Sequence, residues 1–209
     1  MNCLFWQKIA IGLTALLIGI SGCGQNNAQS SFPPSKNNMM TEEHLWSQLQ
    51  QPKTHYFVLM RHAIAPGSGD PENFKLGDCS TQRNLSQEGR EQAKGTGEAF
   101  KRRNIEVEQV LSSQWCRCLE TAELMDIGTV KPFPPLNSFF RDRSTKSEQT
   151  AQVREFMLQQ TDESGVTVMV THFVNISALT ESGVSSGGIK IMALNRQEEL
   201  TVVGEIDAL

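Results

Sequence analysis

Apolar positions along the chain fall into short continuous runs separated by amphipathic stretches. Tyr56 to Met60 is unbroken apolar sequence, the pattern of a strand in a parallel sheet covered on both faces. Glu108 to Ser112 and Val166 to Val170 read as two more strands, and Ile189 to Ala193 and Leu200 to Ile206 as a late pair. Helical patterns lie between them. Thr41 to Gln50 predicts a short helix. Ser86 is an N-cap for a helix running to Arg103, with Glu88 and Glu91 early and Lys101, Arg102 and Arg103 late, as the helix dipole favours. Gly89, Gly95 and Gly97 weaken that helix by up to about 1 kcal/mol each, a cost that close packing on the sheet accounts for. Another helix begins near Trp115 or Cys116. A further one opens at Ser147 with Val153, Phe156 and Met157 on one face, and the last runs to about Ser182. The βαβαβ-like order with late strands predicts a three-layer α/β/α fold with a mainly parallel sheet.

The N-terminal run is of a different kind. Ile9 to Ile20 is apolar and follows Lys8, the sole charged side chain of residues 1–22. It is short against the about 20 residues of a transmembrane helix and matches the about 7–15 of a signal-peptide core. Ile20-Ser21-Gly22-Cys23 resembles the bacterial lipobox, which implies cleavage before Cys23 and acylation there; several acyl chains anchor firmly where one would not. Residues 24–40 are rich in Asn, Ser, Gln and Pro, too polar to repay the entropy of folding. The expected organisation is a lipoprotein signal peptide at 1–22, a lipidated flexible tether at 23–40 and one globular domain at 41–209. The expected location is the cell envelope, on a membrane face turned to the periplasm or exterior.

Composition narrows the class. The chain is 38% hydrophobic and 20% charged with a net charge of -4, so no basic field exists to attract nucleic acid. With Cys3 lost in the leader and Cys23 acylated, Cys79, Cys116 and Cys118 remain. An oxidising compartment permits one disulfide among them, between Cys79 and either Cys116 or Cys118.

Chemistry gathers where strands end. Arg61-His62 follows the first strand, Arg117 the second and His172 the third, and the carboxyl ends of strands in an open α/β sheet are where ligands bind. Two guanidiniums there match phosphate oxygens bidentately at any working pH. Their charge also disfavours imidazolium, keeping His62 neutral and nucleophilic, with its second ring nitrogen donating to a carbonyl. His172 would hold a non-bridging oxygen, and backbone N–H groups at the helix start near Arg117 would add donors. A metal site has no support, since no carboxylate or cysteine cluster accompanies the two histidines at ligand spacing.

Four segments in order carry a resemblance to the histidine phosphatase superfamily, also called phosphoglycerate mutase-like: LMRHA at 59–63, NLSQEGREQA at 84–93, LSSQWCRCLETA at 111–122 and VTH at 170–172. The resemblance implies a nucleophilic His62 that becomes phosphorylated, with Arg61, Arg117 and His172 lining the phosphate pocket and Asn84 or Arg83 reaching it. It implies no metal or organic cofactor. The implied substrate is a phosphorylated small molecule or glycan, and CSTQRNLS and THFVNISALT look most like a bacterial subgroup that includes lipopolysaccharide heptose-phosphate phosphatases. Relatives carry a glutamate as acid after the second-arginine helix, whereas the comparable stretch here reads PPLNSFFRDR, with Asn137 unable to donate as an acid. Asp142 leads the candidates for that role, ahead of Glu120, Asp70 and Asp78. Besides hydrolysis, the alternatives are a phosphomutase and a non-catalytic phosphate-binding lipoprotein.

Overall fold

The first long apolar run becomes β1, His55–Arg61, and its lack of alternation has a direct cause. Tyr56, Val58 and Met60 point into one hydrophobic cluster, while Phe57 and Leu59 point into a second on the opposite face of the sheet. The computed structural model describes residues 41–160, 164–197 and 199–209. All of these fall within one compact unit. The lipobox, Cys23 and the tether lie outside the described residues.

The remaining strands are β2, Gln109–Ser112; β3, Val130–Pro132; β4, Gly165–Thr171; β5, Ile189–Leu194; and β6, Leu200–Ile206. They form a six-stranded sheet in the order β3-β2-β4-β1-β5-β6. β1 pairs parallel with β4, β4 with β2 and β2 with β3, while β5 and β6 close the far side antiparallel. The sheet is therefore mainly parallel. Leu45, Trp46 and Leu49 of α1 (Glu42–Gln50), Phe100 of α2 (Gln87–Arg102) and Ala122 and Met125 of α3 (Cys116–Met125) cover one face. Val153 and Met157 of α4 (Lys146–Gln159) and Ile176 and Leu179 of α5 (Phe173–Thr180) cover the other.

The sequence pattern misses β3, a three-residue edge strand holding Lys131 and Pro132. An edge position tolerates a proline that cannot donate to a ladder. The glycines of α2 divide into two kinds. A Cβ at Gly89 would lie 2.1 Å from the Ile64 carbonyl oxygen and one at Gly97 would lie 1.9 Å from that of Met125, whereas one at Gly95 would meet nothing within 4 Å. Close backbone approach, to the loop after β1 and to the end of α3, thus requires glycine at Gly89 and Gly97 but not at Gly95.

Candidate active site

Because β1, β2 and β4 run parallel and adjacent, the groups at their carboxyl ends share one edge. His62 follows β1 with its backbone N–H donating to Thr171 at the end of β4, 2.9 Å away. Arg117 sits in the first turn of α3, after β2, and His172 is the residue before α5. All three are buried. They line a cleft of about 340 Å³ together with Arg61, Asp70, Arg83 and Trp115.

The orientation of His62 is settled by its neighbours. Its Nδ1 lies 2.8 Å from the Ala63 carbonyl oxygen; a carbonyl can only accept, so Nδ1 carries the proton and Nε2 keeps a bare lone pair. That lone pair accepts from Arg117 Nε at 3.2 Å. Burial, then the Arg117 guanidinium, push the His62 pKa down to about 3. The ring is thus neutral throughout the physiological range, as a nitrogen nucleophile requires.

His172 is held from two sides. Its Nδ1 accepts from Arg117 Nη2 at 3.4 Å, and its Nε2 lies 2.9 Å from Ser113 Oγ. Ser113 in turn donates to Asn137 Oδ1 at 3.3 Å, an oxygen that also accepts from the Gln114 N–H at 2.8 Å. Asn137 therefore braces the second histidine through Ser113 rather than facing the cleft. Burial, followed by the proximity of His62 and Arg117, holds the His172 pKa well below its ordinary value.

Asp70 enters through the loop after β1, turned back by Gly67 and Gly69 at φ of 87° and 68°, a backbone region open to glycine at little cost. Its carboxylate accepts from both terminal nitrogens of Arg117, at 2.6 and 3.2 Å, and from the Trp115 indole at 3.1 Å and the Arg83 backbone N–H at 3.2 Å. Burial acts to raise its pKa, but these donors and the Arg117 charge outweigh it, and the carboxyl stays below its ordinary value. Arg83 lines the cleft while its side chain donates to the Gly69 and Ala65 carbonyls, lacing the same loop. Arg61 donates to Val184 O at 3.0 Å and lies over the Phe173 ring.

Arg61, His62, Arg83, Arg117 and His172 are thus brought together, whereas two expected site residues are not. The Asn84 amide donates to the carbonyls of Cys79 and Gln82, and the residue borders a separate surface hollow with Arg90 and Glu120. Asp142 caps a 3-10 turn through the Ser144 N–H and hydroxyl. These bonds hold its carboxyl below the ordinary value, so it is ionised and is placed as a cap rather than as an acid. Asp78 caps Ser80 in the same way, and Glu120 pairs with Arg90. Of the four carboxylates considered, Asp70 alone lines the cleft.

Four further features come from the tertiary structure. Cys79 bonds to Cys116, joining the end of the Asp70 loop to the start of α3. Cys118 stays a free, buried thiol, its pKa pushed up by burial to about 12, and is inert at neutral pH. The Cys116 N–H, expected to face the ligand, is taken by Gln82 Oε1 at 3.0 Å. Ser113 stood in plain view within LSSQW, but its partnership with His172 spans 59 residues of sequence and has no local signature. Among the described residues no three His, Cys, Asp or Glu side chains converge to hold a metal ion.

Comparison with known proteins agrees with this fold. Residues 57–135, which contain Arg61, His62 and Arg117, match the model of the histidine phosphatase superfamily, branch 1. The chain is similar to the protein histidine phosphatase SixA solved with tungstate, at 16% identity and a TM-score of 0.53 over 73% of this chain and 97% of that one. It is also similar to a mutant phosphoserine phosphatase from Entamoeba histolytica solved with phosphoserine, at 14% identity and a TM-score of 0.54 over 72% and 96% of the two chains. A mycobacterial hydrolase gives 15% and 0.55 over 75% and 92%. At these identities the structural likeness establishes the fold. No curated protein sequence matches the chain significantly. Over residues 57–135, the segment bearing the first histidine and both arginines, the chain thus resembles the histidine phosphatase superfamily, and its fold is the one these solved structures share.

Proposed function

We propose that the protein hydrolyses phosphate monoesters through a phosphohistidine on His62, acting outside the cytoplasmic membrane from a lipid anchor at Cys23. One observation carries the catalytic part: the His62 Nε2 lone pair, fixed by Ala63 O, is held 3.2 Å from Arg117 Nε in an arginine-lined cleft. In the first step Nε2 attacks phosphorus, the ester P–O bond breaks and the leaving oxygen takes a proton from solvent. Arg61 and Arg117 balance the phosphoryl charge, and His172 binds a non-bridging oxygen by turning its Nε2–H from Ser113 to the phosphoryl group. In the second step water attacks the phosphohistidine, releasing phosphate and restoring neutral His62. The protons of that water leave with the phosphate, while Asp70, ionised and occupied by four hydrogen bonds, holds the Arg117 guanidinium in place. With no carboxylic acid in the cleft, the first step favours leaving groups that depart as stable anions. The Cys79–Cys116 bond supports the exported location, since disulfides persist in oxidising compartments. The extracytoplasmic substrates proposed are envelope sugar phosphates and scavenged phosphate esters, and those with the more acidic leaving hydroxyl are turned over faster.

The test uses chain lacking residues 1–23 and an aryl phosphate, with and without EDTA. Metal-independent turnover that vanishes in His62→Ala is expected, and phosphate release that survives His62→Ala overturns the mechanism. Binding of phosphate without turnover across aryl, alkyl and sugar esters would instead make this a phosphate-binding lipoprotein. The place of Asn137, spent on bracing Ser113 where an acid would help, favours that second reading. For the anchor, Cys23→Ala is expected to release the full chain from the membrane fraction; unchanged retention and mobility would refute acylation.

A further inference from the structure

The ring of His62 is oriented by a carbonyl that is itself held in place. Two peptide units flank Ala63, and both have their polar groups engaged. In the first, the His62 carbonyl accepts from the Gly187 N–H at 3.2 Å and the Ala63 N–H donates to Thr121 Oγ1 at 3.1 Å. In the second, the Ala63 carbonyl accepts from His62 Nδ1 at 2.8 Å and the Ile64 N–H donates to Gln92 Oε1 at 3.1 Å. A peptide unit is planar, so the last two bonds are coupled. Turning the Ile64 N–H away from Gln92 turns the Ala63 carbonyl away from the imidazole.

Gln92 lies in the second turn of α2 and does not line the cleft. Its amide orientation follows from its partners, because the Ile64 N–H needs an acceptor and the Ser186 carbonyl, 3.2 Å from Gln92 Nε2, needs a donor. The side chain is closely seated. A Cβ at Gly187 would lie 2.5 Å from Gln92 Cδ, and the φ of 81° at Gly187 is one that glycine adopts at little cost. Gln92 thus ties α2 to the residues after β1 and to the turn before β5, around the nucleophile.

The demand on this tie rises during the reaction. In the resting site Arg117 Nε also holds the ring, by donating to His62 Nε2. Nε2 must give up that bond to attack phosphorus, since its single in-plane lone pair cannot serve both. The Ala63 carbonyl then fixes the tautomer and the aim of the ring. We infer that Gln92 is a positioning residue for His62, acting through the Ala63–Ile64 peptide to keep Nδ1 protonated and Nε2 turned to the cleft. The effect on turnover rests on the phosphatase reading, whereas the hold on the ring does not, so the two are read separately.

The test compares wild type with Q92M and Q92E on the full chain in detergent. Methionine keeps the length and helix propensity of glutamine but loses both bonds, while glutamate keeps an acceptor for the Ile64 N–H. Gln92 is half-buried, so the fold is expected to tolerate both changes, and circular dichroism checks it. With the histidine nitrogens isotopically labelled, the ring N–H signal missing from His62→Gln belongs to Nδ1. Its exchange with solvent is expected to be about three- to tenfold faster in Q92M, the scale of one hydrogen bond. On an aryl phosphate, kcat is expected to fall by about the same factor with KM little changed, since Arg61, Arg117 and His172 keep their contacts with the phosphoryl group. Q92E recovers most of both. Exchange or kcat unchanged in Q92M, or a loss in Q92E as deep as in Q92M, overturns the inference, as does a rise in KM with kcat intact. In a protein that hydrolyses no ester, faster ring exchange in Q92M that Q92E reverses would leave the hold on His62 standing and overturn the phosphatase reading.

Discussion

Burying His62 as a neutral ring has a cost in stability that appears on acidification. The imidazole is 2% exposed, and its pKa is about 3 against an ordinary value of 6.5. The sign follows from linkage: a group whose folded pKa is depressed leaves stability intact above the unfolded pKa. Stability is lost as pH falls below it, because the unfolded chain binds a proton that the native site refuses. Between pH 7 and pH 5 this one ring removes about 2 kcal/mol, from roughly 1.36 kcal/mol per unit over the interval below 6.5. His172 is depressed in the same direction and adds to the loss. Urea unfolding of the wild type and of His62→Gln at the two pH values isolates the His62 share. The stability difference between the two proteins should move by about 2 kcal/mol in favour of the glutamine variant at the lower pH. Parallel losses in the two proteins would mean that His62 titrates normally in the folded state, and the argument for a permanently bare Nε2 would fail.

Other consequences follow from packing and charge. Gly97→Ala should destabilise by about 1–3 kcal/mol or more, since the new Cβ meets the Met125 carbonyl. Gly95→Ala, on the same helix with open space around it, should gain about 0.5–1 kcal/mol; thermal unfolding of the pair separates the two environments. Replacing Cys79 and Cys116 together by serine should cost about 2–4 kcal/mol by denaturant titration, for a bond that closes a separation of 37 residues. Arg117→Lys, which keeps the charge but loses the planar fork, should lower kcat/KM by about 100-fold or more; steady-state kinetics on an aryl phosphate read this directly.

Much of the scaffold is legible in the sequence because it is local. The unbroken run of β1 reports burial on two faces, and Ser86 marks the start of α2, where its side chain accepts from the Gly89 N–H. Arg61, His62, Arg117 and His172 stand out because each follows a strand that the apolar pattern already marks. What escapes is set by tertiary geometry. Asp70 and Asp142 are equivalent as sequence, each an aspartate in a polar loop, and only the fold directs one to Arg117 and the other to its own turn. Asn84 sits beside Arg83 yet points to the opposite side of the loop. The choice of Cys116 over Cys118 for Cys79 depends on which side of α3 faces the loop, since Cys118 is turned inward towards Thr171 and His172.

The central claim is that His62 Nε2 accepts the phosphoryl group, and trapping that intermediate tests it most directly. Mixing the protein with an aryl phosphate, quenching rapidly in base to preserve phosphohistidine and mapping the adduct by mass spectrometry should place it on His62. The adduct should disappear when unlabelled substrate runs out and should be absent from His62→Ala. Steady turnover with no adduct, or an adduct on any residue other than His62, would contradict the account.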